Sequence, residues 1–456
     1  MLHALFAIAS AALLTIGLDP PESATPNVPD KMEQRINHVS TYLTSDSKAE
    51  QGQALRELGS DTLADVVEAI GKVNLWEDKE AGYFSRKIAV STEGKRGGKT
   101  LDVEVHLPEG YDAKTAYPLL IAFHGQGGNG QQFIRASVAL LGEHAKDFIV
   151  AAPTDYNGMW LGSSAAESAE PLALISGLKH IFHIDTDRIY VLGYSQGGHA
   201  SFLLATFYKD QLAAAVSLAG TCAIQMGAEC LDVLLPNIHT TPVLAVYGAY
   251  DQSKDEATEA PIGIAVWNRY IKQQAEKLNL PITMIELPGV GHGGVIPPKD
   301  AFAEILTKKR PPLSKTVSHR FRYTTQARDG WLRQTQFSGD PWTSQQLIVS
   351  PANNETVGEA MTAMLKEKLG YLGGKIDGQT IHIETHLCGQ IEVLLNDDLV
   401  DLDKPITIVV DGTVRFEGTA KRKLRTLLDI AKDDWEFQRL FPVRFEVGRK
   451  GKAVQR

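Results

Sequence analysis

Ser195 stands in Gly193-Tyr194-Ser195-Gln196-Gly197, between the apolar run Ile189–Leu192 and the helix-forming stretch His199–Ala205. A serine hydroxyl is a weak nucleophile until geometry and a base activate it. A G-x-S-x-G turn between a strand and a helix supplies the geometry, because its glycines let the chain reverse sharply and hold Oγ exposed at the strand's carboxyl end. The base must in turn be oriented by a carboxylate. Both groups follow Ser195 in the order acid, then histidine. Asp251 lies just past the apolar run Pro242–Tyr247, and His292 lies in Leu287-Pro-Gly-Val-Gly-His292-Gly-Gly, just past Ile282–Leu287. Asp255 competes with Asp251, which is nearer the strand end. His239 reads as an ordinary loop histidine, and His199 as a packing residue inside the helix after the turn.

Acyl transfer through such a serine also needs two preorganised donors for the oxyanion. One is the backbone N–H of Gln196, directly after the nucleophile. The other is expected from the loop after an earlier strand, where the chain reads Phe123-His124-Gly125-Gln126-Gly127-Gly128-Asn129-Gly130. The N–H of Gln126 is the first choice there, with Gly127 next. Gly125, Gly127 and Gly130 also satisfy the dinucleotide pattern G-x-G-x-x-G. The preceding His-Gly pair and the downstream serine, aspartate and histidine favour the oxyanion reading. Trp160, after the apolar run Phe148–Ala152, is a candidate wall of a substrate pocket, set against ordinary packing. His382, Glu384 and His386 alternate along one face of a strand. Without a fourth ligand they read as a solvated face rather than a metal site. The chemistry calls for no cofactor and no metal.

These loops can converge only if the strands before them lie side by side with their carboxyl ends at one edge. The pattern meets that condition. From about Ala81 to residue 315, apolar runs alternate with helical stretches such as Gln132–His144, Glu170–Ile181 and Ala260–Leu278. Strands alternating with helices imply an α/β fold, a doubly wound, mostly parallel sheet covered on both faces. Active loops then cluster at the strand carboxyl ends. After Pro311-Pro312 the pattern changes. Gln379–Thr385 alternates strictly, Ile406–Val410 and Thr413–Gly418 flank an Asp411-Gly412 hairpin turn, and two helices are expected at Val357–Leu369 and Arg422–Ala431. Residues 316–456 therefore read as a C-terminal β-rich module. Residues 19–80 read as a linker followed by helices, with apolar positions at Leu55, Leu58, Leu63, Val66, Val67 and Ile70.

The chain has 456 residues, enough for two or three domains. Its net charge of -9 argues against nucleic acid as a partner. Ala4–Leu18 is almost wholly small or apolar and ends at Asp19-Pro20-Pro21. It is shorter than a bilayer span requires, and residues 1–18 are expected to be a signal peptide. The expected mature protein is secreted or periplasmic, with no integral membrane span. The leader has no lysine or arginine before Lys31, and an uncleaved anchor or a buried helix are the alternatives. Of the three cysteines, Cys222 and Cys230 could close a short disulfide loop after export or remain buried thiols, and Cys388 is left over.

The segments Phe123-His-Gly-Gln-Gly-Gly, Asp187-Arg-Ile-Tyr-Val-Leu-Gly-Tyr-Ser-Gln-Gly-Gly, Tyr247-Gly-Ala-Tyr-Asp and Gly291-His292 resemble the α/β-hydrolase superfamily. Within it the chain is most similar to secreted bacterial serine esterases related to polyhydroxybutyrate depolymerases, feruloyl esterases and the dienelactone hydrolase/carboxylesterase group. The resemblance covers roughly half of the chain. It implies hydrolysis of a small-molecule or polymer-linked carboxylic ester, with Ser195 as nucleophile, His292 as general base and acid, and Asp251 as its orienting partner. A peptidase of the prolyl oligopeptidase clan would use the same triad, although nothing like that clan's propeller domain precedes the block. A surface- or polysaccharide-binding protein carrying a vestigial hydrolase domain is the reading from a different class. The oligomeric state is not legible.

Overall fold

A computed structural model describes residues 30–90, 99–154, 156, 164–222, 232–256, 258–339, 349–352 and 354–456. The leader, Trp160 and Cys230 lie outside the described residues. Three helices come first: α1 (Lys31–Thr44), α2 (Lys48–Glu57) and α3 (Leu63–Ile70). Each begins at a side-chain cap (Asp30, Ser47 and Thr62) that accepts an orphan N–H of the first turn. Of the apolar positions read from the sequence, Leu58, Val66 and Ile70 are buried, whereas Val67 is exposed.

Eight strands follow and form one sheet: β1 (Gly82–Val90), β2 (Lys99–Leu107), β3 (Tyr117–Phe123), β4 (Ile149–Pro153), β5 (Ile184–Tyr194), β6 (Ala214–Leu218), β7 (Val243–Gly248) and β8 (Ile282–Leu287). Their order is β1-β2-β4-β3-β5-β6-β7-β8. β1 and β2 run antiparallel at one edge, β2 pairs antiparallel with β4, and from β4 to β8 every pairing is parallel. This is the doubly wound, mostly parallel sheet expected of the α/β-hydrolase fold, with the continuous apolar runs in its buried strands. β3 illustrates the physics. Leu119, Ile121 and Phe123 join the core on one face, and Leu120 and Ala122 join the core on the other. Helices α5 (Ala165–Ile181), α6 (Gln196–Phe207) and α7 (Ile264–Leu278) cover the first face. α4 (Gly130–Leu141) and α8 (Lys299–Ile305) cover the second.

Beyond residue 315 two five-stranded sheets share a second core built around Trp331, Leu372, Ile381, Val393, Ile408 and Phe445. The hairpin read from Asp411-Gly412 is present. Strands Pro405–Val410 and Thr413–Thr419 pair antiparallel, and the turn residues take positive φ of 49° and 74°, as a type I′ turn demands. Helix α9 (Val357–Lys368) and helix α10 (Leu424–Asp434) do not stay within this module. Leu365 and Leu369, in and just after α9, pack into the core beneath the large sheet. Leu427, Leu428, Ala431 and Trp435, in and just after α10, pack with Val39, Tyr42, Leu43 and Leu58 of the first helices.

Candidate active site

β5 ends at Tyr194, and α6 begins at Gln196. Ser195, between them, has φ 54° and ψ -115°. That is a sparsely populated region for a residue with a Cβ, costing on the order of 1–3 kcal/mol. The turn is held by its surroundings. The Ser195 N–H donates to the Leu218 carbonyl of β6 at 2.8 Å. A Cβ on Gly193 would lie 1.9 Å from the Gly197 oxygen, and one on Gly197 would lie 1.9 Å from the Phe123 oxygen of β3. Both glycines of the pentapeptide are thus required by close backbone approach.

Asp251 lies just past the end of β7. The Asp251 N–H donates to Gly248 at 3.1 Å, and its carbonyl accepts from Ala265 in the first turn of α7 at 2.9 Å. The loop carrying His292 follows β8 and lies against the loop carrying Asp251. The Tyr250 N–H donates to Val290 at 2.9 Å, and a Cβ on Gly248 would meet the Gly291 oxygen at 2.2 Å. Asp251 Oδ2 lies 2.8 Å from His292 Nδ1, and His292 Nε2 lies 2.8 Å from Ser195 Oγ. A carboxylate at Nδ1 can only accept, so Nδ1 carries the proton and Nε2 is left to accept from the serine hydroxyl. The Asp251 side chain is 14% exposed and that of His292 48%. The His292 ring therefore meets solvent while the carboxylate beside it is largely shielded. Asp255, the competing acid, accepts instead from the N–H and hydroxyl of Thr258 at 2.8 and 2.7 Å, closing its own loop.

The loop after β3 lies against this turn. A Cβ on Gly125 would come within 3.4 Å of Ser195 Cβ. Gly128 N–H donates to Gly125 at 3.0 Å, with Gly127 at φ 75°, the geometry of a type II turn. The turn's own hydrogen bond uses neither the Gln126 nor the Gly127 N–H. Gln196 opens α6, where the first N–H groups have no intrahelical acceptor. The dinucleotide pattern dissolves in this arrangement. The Gly130 N–H is taken by Thr154 Oγ1 at 3.0 Å, and a Cβ there would meet the Ala152 oxygen at 2.3 Å.

Three groups at the site carry no signal in the sequence. The Tyr194 hydroxyl donates to the His292 carbonyl at 2.5 Å. The Tyr156 hydroxyl donates to the His124 carbonyl, bracing the loop after β3. Phe133 and Ala136 of α4, with Tyr194 and residues 124–126, line an open groove of about 310 Å³ beside the turn. Each role depends on a contact across the fold, which spacing along the chain does not encode.

The remaining candidates lie elsewhere. His199 is buried with Nδ1 on the Thr221 main chain, a packing role. His382 and Glu384 are exposed, and His386 Nε2 donates to the Glu367 carbonyl at 2.7 Å. No group of three or more His, Cys, Asp or Glu that could hold a metal occurs among the described residues. Cys222 is a buried free thiol and Cys388 a half-buried one. No helix among the described residues is long and apolar enough to cross a membrane.

No protein-family model matches the chain. It is 26% identical over 182 residues to a protein of Nocardia uniformis subsp. tsuyamanensis named as an esterase, NocK, a match covering 38% of this chain and 49% of that one. It is 28% identical over 168 residues to poly(3-hydroxyalkanoate) depolymerase C of Paucimonas lemoignei, covering 34% and 39%. A protein of Aspergillus terreus named as feruloyl esterase C is 26% identical over 121 residues, covering 25% and 45%. The chain thus spans less than half the length of each of these relatives.

Proposed function

We propose that the chain, an α/β-hydrolase by its sheet and its esterase-named relatives, cleaves carboxylic esters through an acyl-enzyme on Ser195. The observation that carries the reading is the 2.8 Å approach of Ser195 Oγ to a His292 whose other nitrogen is bonded to Asp251. Ser195 Oγ attacks the ester carbonyl as His292 Nε2 takes the hydroxyl proton, and Asp251 stabilises the imidazolium that forms. The N–H groups of Gln126 and Gln196 receive the negative charge on the tetrahedral oxygen. His292 then gives the proton to the departing alcohol. In the second half-reaction it takes a proton from water, which releases the acid and restores the serine.

The substrate is a small-molecule or polymer-linked ester. Hydrolysis of p-nitrophenyl acetate and butyrate by the wild type and by Ser195→Ala tests the assignment. The variant is expected to lose roughly 10³-fold or more in kcat, since removing the nucleophile of such a triad leaves only binding and oxyanion stabilisation. Equal turnover by the two proteins would refute it.

A further inference from the structure

We propose that Tyr194 is a positioning residue whose hydroxyl ties the His292 loop to the nucleophile turn and so sets the Ser195–His292 distance. The inference rests on the triad reading above and adds a part to it.

The loop carrying His292 is rich in glycine, and residues 292–294 are exposed. A Cβ built on Gly289, Gly291, Gly293 or Gly294 meets nothing within 4 Å, and Gly289 and Gly294 take φ of 74° and 76°. Glycine loses more backbone freedom on ordering than any other residue, so a segment this rich in it is costly to order. Up to Val290 the main chain is pinned, through Ala249 to Leu287 at 3.0 Å and Tyr250 to Val290 at 2.9 Å. Val295 re-enters the core. Between them, among the described residues, the His292 main chain has one hydrogen-bond partner, the Tyr194 hydroxyl at 2.5 Å.

That partner is well placed for the task. Tyr194 is the residue before Ser195, at the end of a central strand, so its ring moves with the nucleophile. Its ring centroid lies 5.9 Å from that of His292, at 51° between planes. Asp251 fixes the imidazole from one side, and Tyr194 fixes the backbone that carries it from the other. Without the hydroxyl, the loop would spend less time with Nε2 at hydrogen-bond reach of Oγ. Misplacement of a reacting group by about 1 Å can cost on the order of 100-fold. The loss belongs to kcat, because the ring that lines the groove remains in place.

Tyr194→Phe removes only the oxygen. Full-length wild type, Tyr194→Phe and Ser195→Ala are compared by three readouts: steady-state hydrolysis of p-nitrophenyl butyrate, labelling by a fluorophosphonate, and hydrogen–deuterium exchange of peptides spanning residues 288–296. For Tyr194→Phe the expected result is a kcat lower by about 10- to 100-fold with KM within about twofold. Exchange in residues 288–296 rises, and thermal unfolding stays close to wild type. An unchanged kcat, a change confined to KM, or unchanged exchange in that segment would each overturn the clamp. Failure of the triad reading looks different: wild type and Ser195→Ala would then take up fluorophosphonate alike, while the exchange measurement still reports on the tether.

Discussion

Asp251, and not Asp255, faces His292 because of what each carboxylate already holds. Asp255 sits four residues further on, and its Oδ1 is spent on the N–H and hydroxyl of Thr258. Asp251 is fixed at both ends of its own peptide unit, leaving its carboxylate aimed at Nδ1. Asp251→Asn is expected to favour the wrong imidazole tautomer and lower kcat by about 10⁴-fold. Asp255→Asn is expected to leave kcat near the wild-type value. Steady-state hydrolysis of p-nitrophenyl acetate by the two variants checks the pair, and the reverse ranking would reassign the acid. At this scale the sequence was explicit about residue types and chain order. Proximity to the strand end already favours Asp251 over Asp255, and the loop's hydrogen bonds supply the physical reason.

Among the elements, the strand Thr316–Phe321 joins the C-terminal module to the large-sheet block through a buried polar cluster. Lys209 Nζ, fully buried, donates to the Ser318 carbonyl at 2.9 Å and pairs with Asp329 at 2.9 Å. His319 beside it is buried and donates from Nε2 to the Gln326 carbonyl at 2.8 Å. Burial, with the Lys209 charge adding to it, lowers the His319 ring from its ordinary 6.5 to about 3. The bond to the Gln326 carbonyl and the Asp210 charge oppose the shift, and His239 adds to it. A ring that binds its proton less readily folded than unfolded contributes its full stability above pH 6.5 and loses it as the pH falls toward 3. The loss is about 1.4 kcal/mol per pH unit within that window. His319→Gln, whose amide can still donate to Gln326, is expected to flatten the stability profile by about that slope between about pH 6 and pH 4. Urea unfolding measured across that range checks it, and an unchanged slope would remove His319 from the account. His319 shares its strand face with Val317 and Phe321, so alternation places it inward, and only the folded structure shows the Gln326 carbonyl and the Lys209 charge that meet it there.

Across the described residues, the first helices meet the C-terminal part of the chain. Tyr42 of α1 donates to Asp429 of α10 at 2.7 Å, and Lys432 donates to the Leu43 and Ser45 carbonyls at 2.8 Å. Arg310 bridges Asp187 at the start of β5 and Glu436 after α10, at 2.9 and 2.6 Å. Burial alone would raise the Glu436 carboxyl, but the Arg310 and Lys179 cations outweigh it and hold it at about 2. Removing one side of such a pair strands a buried charge, at a cost of about 3–5 kcal/mol. Deleting residues 316–456 would do this at several positions at once and would bare Val39, Tyr42, Leu43 and Leu58. The truncated protein is therefore expected to be insoluble or aggregated in gel filtration. A soluble truncate with wild-type activity on p-nitrophenyl butyrate would show instead that the tail is a detachable attachment. The α/β class, the strand runs of the large sheet, the Asp-Gly hairpin and the chain order of Ser195, Asp251 and His292 are legible along the chain, because they follow from local periodicity and turn chemistry. That α9 lends its apolar face to the central core, that the first helices seat on α10, and that Tyr194 reaches His292 emerge only in the folded molecule. Those outcomes depend on which surfaces meet across hundreds of residues, and periodicity along a chain shows that a face is apolar without showing what will cover it.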